Sequence, residues 1–170
     1  TGGTPMVRAA YSSGNPAIGV GPGNAPVLVD ATADIDLAAK RIVESKSFDN
    51  SILCTNESVV VAEQAIADRL LASLRGTGAY IAKPEEVDQL RELLFGLGSF
   101  NVDVLGKSAG EIGQKAGLRV PANARIIVAV WADGTGTVRL RAGLDPEDLR
   151  QDVITLANKM RNHLLEGNSR

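Results

Sequence analysis

The chain has 170 residues, 44% of them hydrophobic and 22% charged, with a formal net charge of -2, which is enough length for about one domain whose core closes without metals or disulfides. So weak a charge supplies no strong field for nucleic acid or an anionic membrane, and no run approaches the roughly eighteen apolar residues of a membrane span, so neither partner is expected. The only cysteine, Cys54, cannot form an internal disulfide, and with no signal peptide in view it points to a reduced, soluble, cytoplasmic setting.

The chain opens at Thr1 rather than Met, directly on the turn Thr1-Gly2-Gly3, so a segment is expected upstream. A short helical pattern follows through Met6, Val7, Ala9, Ala10 and Tyr11 and stops at Ser12-Ser13-Gly14. Next, residues 17–20 and 27–29 read as short buried strands. The glycines between them allow close approach of backbone or ligand, although their GxGxG spacing is not a dinucleotide fingerprint.

Residues 33–48 carry Ile35, Ala38, Ala39, Ile42 and Val43 on one helical face, with Asp34 at the entrance. The apolar run 58–62 follows, and the strand-helix-strand spacing predicts a βαβ unit with parallel strands. A second unit places Ile66, Leu70, Leu71 and Leu74 on one stripe ended by Gly76-Thr77-Gly78, with a brief strand at 80–82. Pro84 opens a helix whose inner face is Val87, Leu90, Leu93 and Leu94. Residues 102–105 read as a strand, 108–116 as a helix stopped by Gly117, and 125–131 as a strand buried on both faces and ended by Trp131. After the turn 133–136, Val138 and Leu140 alternate with Thr137, Arg139 and Arg141, predicting a hairpin partner exposed on one face. A helix from Leu149 through Val153, Leu156, Met160 and Leu164 closes the chain. The resulting class is α/β, with a mainly parallel sheet flanked by helices and a C-terminal hairpin and helix.

Cys54 stands between the polar loop Phe48-Asp49-Asn50-Ser51 and Thr55-Asn56-Glu57. Backbone amides and side-chain donors there can stabilise a thiolate or an adjacent oxyanion, as a thiol nucleophile requires. Asp49 and Glu57 flank the thiol; tuning it and simply solvating the loop are equally good readings of both. His163 reads as a surface or boundary residue, and Arg139 and Arg141 as a solvated strand face. No metal-ligand constellation is present in the pattern.

In order, Thr1-Gly2-Gly3, Met6-Val7, Ala9-Ala10-Tyr11-Ser12-Ser13-Gly14, Pro16-Ala17-Ile18-Gly19-Val20-Gly21, Gly23-Asn24, Ala33-Asp34-Ile35, Ser47-Phe48-Asp49-Asn50, Cys54 and Glu57-Ser58-Val59-Val60-Val61 resemble the CoA-acylating aldehyde dehydrogenases. That branch of the aldehyde dehydrogenase superfamily includes the aldehyde half of bifunctional aldehyde-alcohol dehydrogenases and the acylating sulfoacetaldehyde dehydrogenases. The likeness is nearly gapless through Val61 and continues more weakly through Asn101-Val102, Ile112, Ala116-Gly117 and Val120-Pro121 to about Ala129.

The resemblance implies an oxidoreductase in which Cys54 attacks a small aldehyde, the thiohemiacetal yields a hydride to NAD(P)+, and the resulting thioester is passed to coenzyme A. It implies that Gly3 and Gly21, with Gly2 and Val20, line the nicotinamide end of the cofactor. Val20 falls where hydrolytic relatives carry a glutamate base, so the thioester is expected to await CoA rather than water. It implies three parts: 1–30 as the tail end of the cofactor-binding domain, 31–129 as a portion of the catalytic thiol domain, and 130–170 as an unmatched hairpin and terminal helix. Asn15 departs from the lysine of many relatives. The nucleotide-binding front half of the family pattern is not represented, so free NAD(P)+ is expected to bind poorly and this chain alone to turn over little. A homo-oligomer is expected. Two other readings compete: an oligomerising module built on the strand 126–130, the hairpin and the tail helix, and a thiol-based binding or redox module without turnover.

Overall fold

The computed structural model describes residues 4–19, 25–96, 100–132 and 137–141. Helix α1 (Thr4–Ser12) leaves Met6 and Tyr11 more than half exposed. The Tyr11 hydroxyl donates to the Gly19 carbonyl at 3.1 Å and accepts from the Gly19 amide at 2.8 Å. This close approach needs glycine, since a Cβ at Gly19 would fall 2.6 Å from Val7 Cγ1. The buried strand expected over 17–20 is therefore corrected: residues 17–19 pair with no strand and Ile18 is fully exposed. The polar groups of Gly19 are satisfied by a side chain instead of a ladder.

Strands β1 (Ala25–Val29), β2 (Glu57–Glu63), β3 (Ala79–Ile81), β4 (Ile126–Ala132) and β5 (Thr137–Arg141) form one sheet in the order β1-β2-β5-β4-β3. β1 pairs parallel with β2 and β3 parallel with β4, while β5 runs antiparallel to both β2 and β4. Four of the five strands thus share one direction, in agreement with an α/β, mainly parallel sheet. The hairpin of β4 and β5 forms as the alternation predicts, but not at an edge. Val60 pairs with Leu140 on one side of β5 and Val130 with the same residue on the other. β4 and β5 are therefore both interior to the sheet, and the ladder groups of β5 are used on both sides. Trp131 is not the last residue of β4, which continues to Ala132.

Helix α2 (Ile35–Ser47) joins β1 to β2, and the Asp34 side chain caps it by accepting from the Leu37 amide at 3.1 Å. Helix α3 (Gln64–Gly76) joins β2 to β3 and ends at Thr77 and Gly78, the latter at φ +104°. Both helices cover one face of the sheet, where Ile35, Val43, Leu70 and Leu74 are fully buried. On the other face lie α4 (Pro84–Phe95) and the short α5 (Ala109–Lys115), whose Ser108–Glu111 pair forms a reciprocal cap. β4 shows the division directly. Ile126 and Val128 join the first core, and Ile127 and Ala129 the second, so the strand is covered on both faces as its continuous apolar run predicts.

The strand expected at 102–105 is instead a single 3₁₀ turn, Val102–Val104. The Asn101 side chain accepts from the Asp103 amide at 3.0 Å and Leu105 N–H reaches the Val102 carbonyl. This local bonding competes with extended pairing, and Val102 and Leu105 stay exposed. The turn 133–136, the tail helix and His163 lie outside the described residues.

Candidate active site

Cys54 sits at the entry to β2, in a turn closed by the Asn56 amide donating to the Leu53 carbonyl at 3.1 Å. Its thiol is free and exposed. Two asparagines fix this turn. The Asn56 side chain, only 3% exposed, donates to the carbonyls of Ser45 and Phe48, the latter at 3.1 Å, and so staples the turn to the end of α2. Asn50 Nδ2 donates to the Gly106 carbonyl at 2.9 Å and ties the loop to the segment before α5. Asn56 thus commits its side-chain amide to the scaffold, while Asn50 makes one such bond and also lines the cavity.

Between these staples Asp49, Asn50 and Ser51 run consecutively through the left-handed region, at φ of +50°, +48° and +68°. Each such non-glycine residue costs about 1–2 kcal/mol, least for Asp and Asn. The packing of the loop must therefore sustain an unfavourable backbone, which is the signature of a segment held for position. Asp49 is exposed and beyond the cavity wall. Glu57 is half-buried, and its Oε2 finds no hydrogen-bond partner among the described residues.

Cys54 lines a cavity of about 390 Å³ at the end of the sheet where β2 and β4 begin, bounded by the end of α2 on one side and by α4 and the segment before α5 on the other. That volume lies in the range of small-molecule sites. The walls are largely apolar, from Leu90, Leu94, Phe100 and Ile127 among others, and among the described residues the charged side chains lining it are Lys46, Arg91, Lys107 and Arg125. Arg91 and Lys107 pair with Asp88 and Glu111 outside the cavity, and Arg125 Nη2 donates to Ser47 Oγ at 2.8 Å.

Lys46 escapes a reading of the sequence as a string of motifs. It lies four residues after Ile42 and three after Val43, on the buried stripe of α2, and is 8% exposed. That helical spacing is the signal by which it can be found. Its Nζ donates to Ser58 Oγ at 3.1 Å. Burial lowers its pKa from 10.5 to about 8, against the opposing charge of Glu57.

Gly2, Gly3, Val20 and Gly21 lie outside the described residues. Among the described residues no group of three or more His, Cys, Asp or Glu side chains could hold a metal ion, and no helix is long and apolar enough to cross a membrane.

No family model matches the chain. It is similar to an aldehyde-alcohol dehydrogenase of Clostridium acetobutylicum, 44% identical over 128 residues, which are 75% of this chain and 15% of that protein. It is also similar to a succinate-semialdehyde dehydrogenase (acetylating) of Clostridium kluyveri, 42% identical over 129 residues, 75% of this chain and 28% of the relative. Among solved structures, a Rhodopseudomonas palustris propionaldehyde dehydrogenase with bound CoA and an acylated cysteine matches with TM-score 0.69 and 40% identity over 76% of this chain and 30% of that one. An engineered glycolyl-CoA reductase with bound NADP+ matches with TM-score 0.70 and 43% identity over 76% and 30%. The matched part of the chain therefore spans between 15% and 30% of each of these proteins. By sequence and by fold, about three quarters of it is related to a part of the CoA-acylating aldehyde dehydrogenases.

Proposed function

We propose that this segment supplies the thiol of an oxidoreductase that converts a small aldehyde to an acyl-CoA, with Cys54 as the nucleophile. The observation that carries the reading is the placement of Cys54, an exposed thiol in a stapled turn on the wall of an apolar cavity. It lies in a chain 40% identical, over 76% of its length, to a protein holding an acylated cysteine and CoA. The sulfur bonds the aldehyde carbon, and the C=O π pair takes up the thiol proton as a hydroxyl. Loss of hydride from that carbon, for which bound NAD(P)+ supplies the acceptor, together with loss of the hydroxyl proton leaves a thioester. The thiol of CoA then displaces the Cys54 sulfur, which regains a proton.

Gly2, Gly3, Val20 and Gly21 are assigned to the nicotinamide end of the site, on the support of sequence resemblance. A valine at position 20 has no group to activate water, and the apolar walls favour survival of the thioester until a thiol arrives. The reading includes the division into 1–30, 31–129 and 130–170, a homo-oligomer, and a cytoplasmic location consistent with a free exposed thiol.

Acyl transfer in reverse needs neither aldehyde nor nucleotide and tests the assignment directly. Incubation with propionyl-CoA should add one propionyl group to the chain by intact mass, with release of free CoA, and added CoA should remove it. Cys54→Ala should abolish the adduct. Acylation no faster than that of the urea-unfolded chain would show that the fold does not activate this thiol.

A further inference from the structure

Resting on the assignment of Cys54 as nucleophile, we infer that Lys46 is an internal acyl acceptor: the acyl group carried on the Cys54 thioester passes to the Lys46 amine and closes the site as a stable amide. The two side chains are built into one unit. The Asn56 side chain donates to the carbonyls of Ser45 and Phe48, one on each side of Lys46 in the chain. The turn that carries Cys54 is thus bonded to the backbone flanking Lys46. Lys46 is 8% exposed, and it lines the same cavity as Cys54. Its Nζ donates to Ser58 Oγ at 3.1 Å, and Ser58 lines that cavity too. Among the described residues this is its one hydrogen bond, and it makes no ion pair. An amine so placed meets a thioester at high effective concentration, while the apolar walls hold back water as a rival acceptor.

The step balances without a co-reactant. The Nζ lone pair bonds the carbonyl carbon, the C–S bond breaks, and its electron pair leaves on sulfur. The proton shed by nitrogen goes to that sulfur, so the thiol is restored and an amide remains. Two differences drive the transfer. An amide is more stable than a thioester, and acylation removes the charge of an ammonium whose burial is costly. Burial also lowers the Lys46 pKa to about 8, so that roughly a tenth of it is free amine at pH 7. Coenzyme A takes the acyl group reversibly, whereas Lys46 keeps it. The transfer therefore shuts the site when the acceptor thiol is scarce.

Hydroxylamine cleaves thioesters and leaves amides, so it separates the two adducts. The full chain is charged with propionyl-CoA at pH 8, freed of excess reagent by gel filtration, and sampled over time by hydroxylamine quench, intact mass and peptide mapping. Resistant propionyl should accumulate on Lys46 as the thioester declines, at a rate independent of protein concentration, to roughly tenfold above its level on Lys40. Lys40 lies on the same helix with its side chain 63% exposed and reports background acylation. This time course needs no substitution. Cys54→Ala, with circular dichroism confirming that it folds, should carry no resistant group on Lys46 beyond that background. A thioester formed with no excess of amide on Lys46 over Lys40 would overturn the transfer while leaving the nucleophile in place. Amide on Lys46 in Cys54→Ala at the unsubstituted level would overturn it in favour of direct acylation by the acyl-CoA. A rate that rises with protein concentration would overturn it in favour of transfer between chains. Absence of both thioester and amide would overturn the nucleophile and this inference together.

Discussion

The two faces of the sheet are covered to different depths. On one, two helices of 13 residues each, α2 and α3, close over Ile35, Val43, Leu70 and Leu74, which are fully buried. On the other, α4 and the 7-residue α5 leave the cavity of about 390 Å³ onto which Cys54 opens. The first face works as a platform and the second as a pocket. Lys46 and Asn56 stand at their junction, where the end of α2 reaches round to the thiol turn.

This contrast can be broken most strongly at the platform. Leu70→Ala, at a position with no exposed surface, should cost about 3–5 kcal/mol by chemical denaturation, because the tightly packed site cannot collapse around the loss. Leu90→Ala borders the existing cavity and should cost clearly less, about 2 kcal/mol, since the side chain has fewer contacts to lose. Equal costs would mean that the pocket face is as closely packed as the platform.

At the junction, Asn56→Ala removes the donor to two backbone carbonyls and should cost about 2 kcal/mol. It should also alter the alkylation rate of Cys54, which Leu70→Ala should leave unchanged in the folded state. Lys46→Met should go the other way, stabilising the chain at pH 7 by about 1–3 kcal/mol because the folded state no longer holds a desolvated ammonium. Lys46 has a pKa of about 8 when folded against 10.5 when free. Between those values the unfolded chain binds more protons, so the stability of the unsubstituted chain should rise with pH from about 8 to 10.5. The advantage of Lys46→Met should shrink across that window, as parallel thermal melts would record. The smallest effect is expected from Arg69→Ala, whose ion pair with Asp36 is exposed on both sides and should contribute less than about 1 kcal/mol.

Much of the platform was legible from spacing alone. The stripes of α2 and α3, the Asp34 cap, Pro84 at the start of α4 and the two-faced run of β4 all follow local rules that the tertiary fold leaves intact. The errors fall where local pattern and tertiary partner disagree. Residues 17–19 have strand composition but pair with no strand, and Gly19 instead bonds the Tyr11 hydroxyl. Residues 102–105 are apolar enough for a strand but are bent into a turn by Asn101.

The candidate site divides in the same way. The sequence by itself determined that the one thiol lies in a polar loop ahead of an apolar strand, and its order of matches determined the family to which that stretch is related. Only the tertiary structure decided that Asn50 and Asn56 are staples, that β5 is interior to the sheet, and that Lys46 shares a cavity with Cys54. The physical reason is that period and composition report which face of an element is apolar. What a lysine on that face costs depends on the groups that distant segments bring within reach.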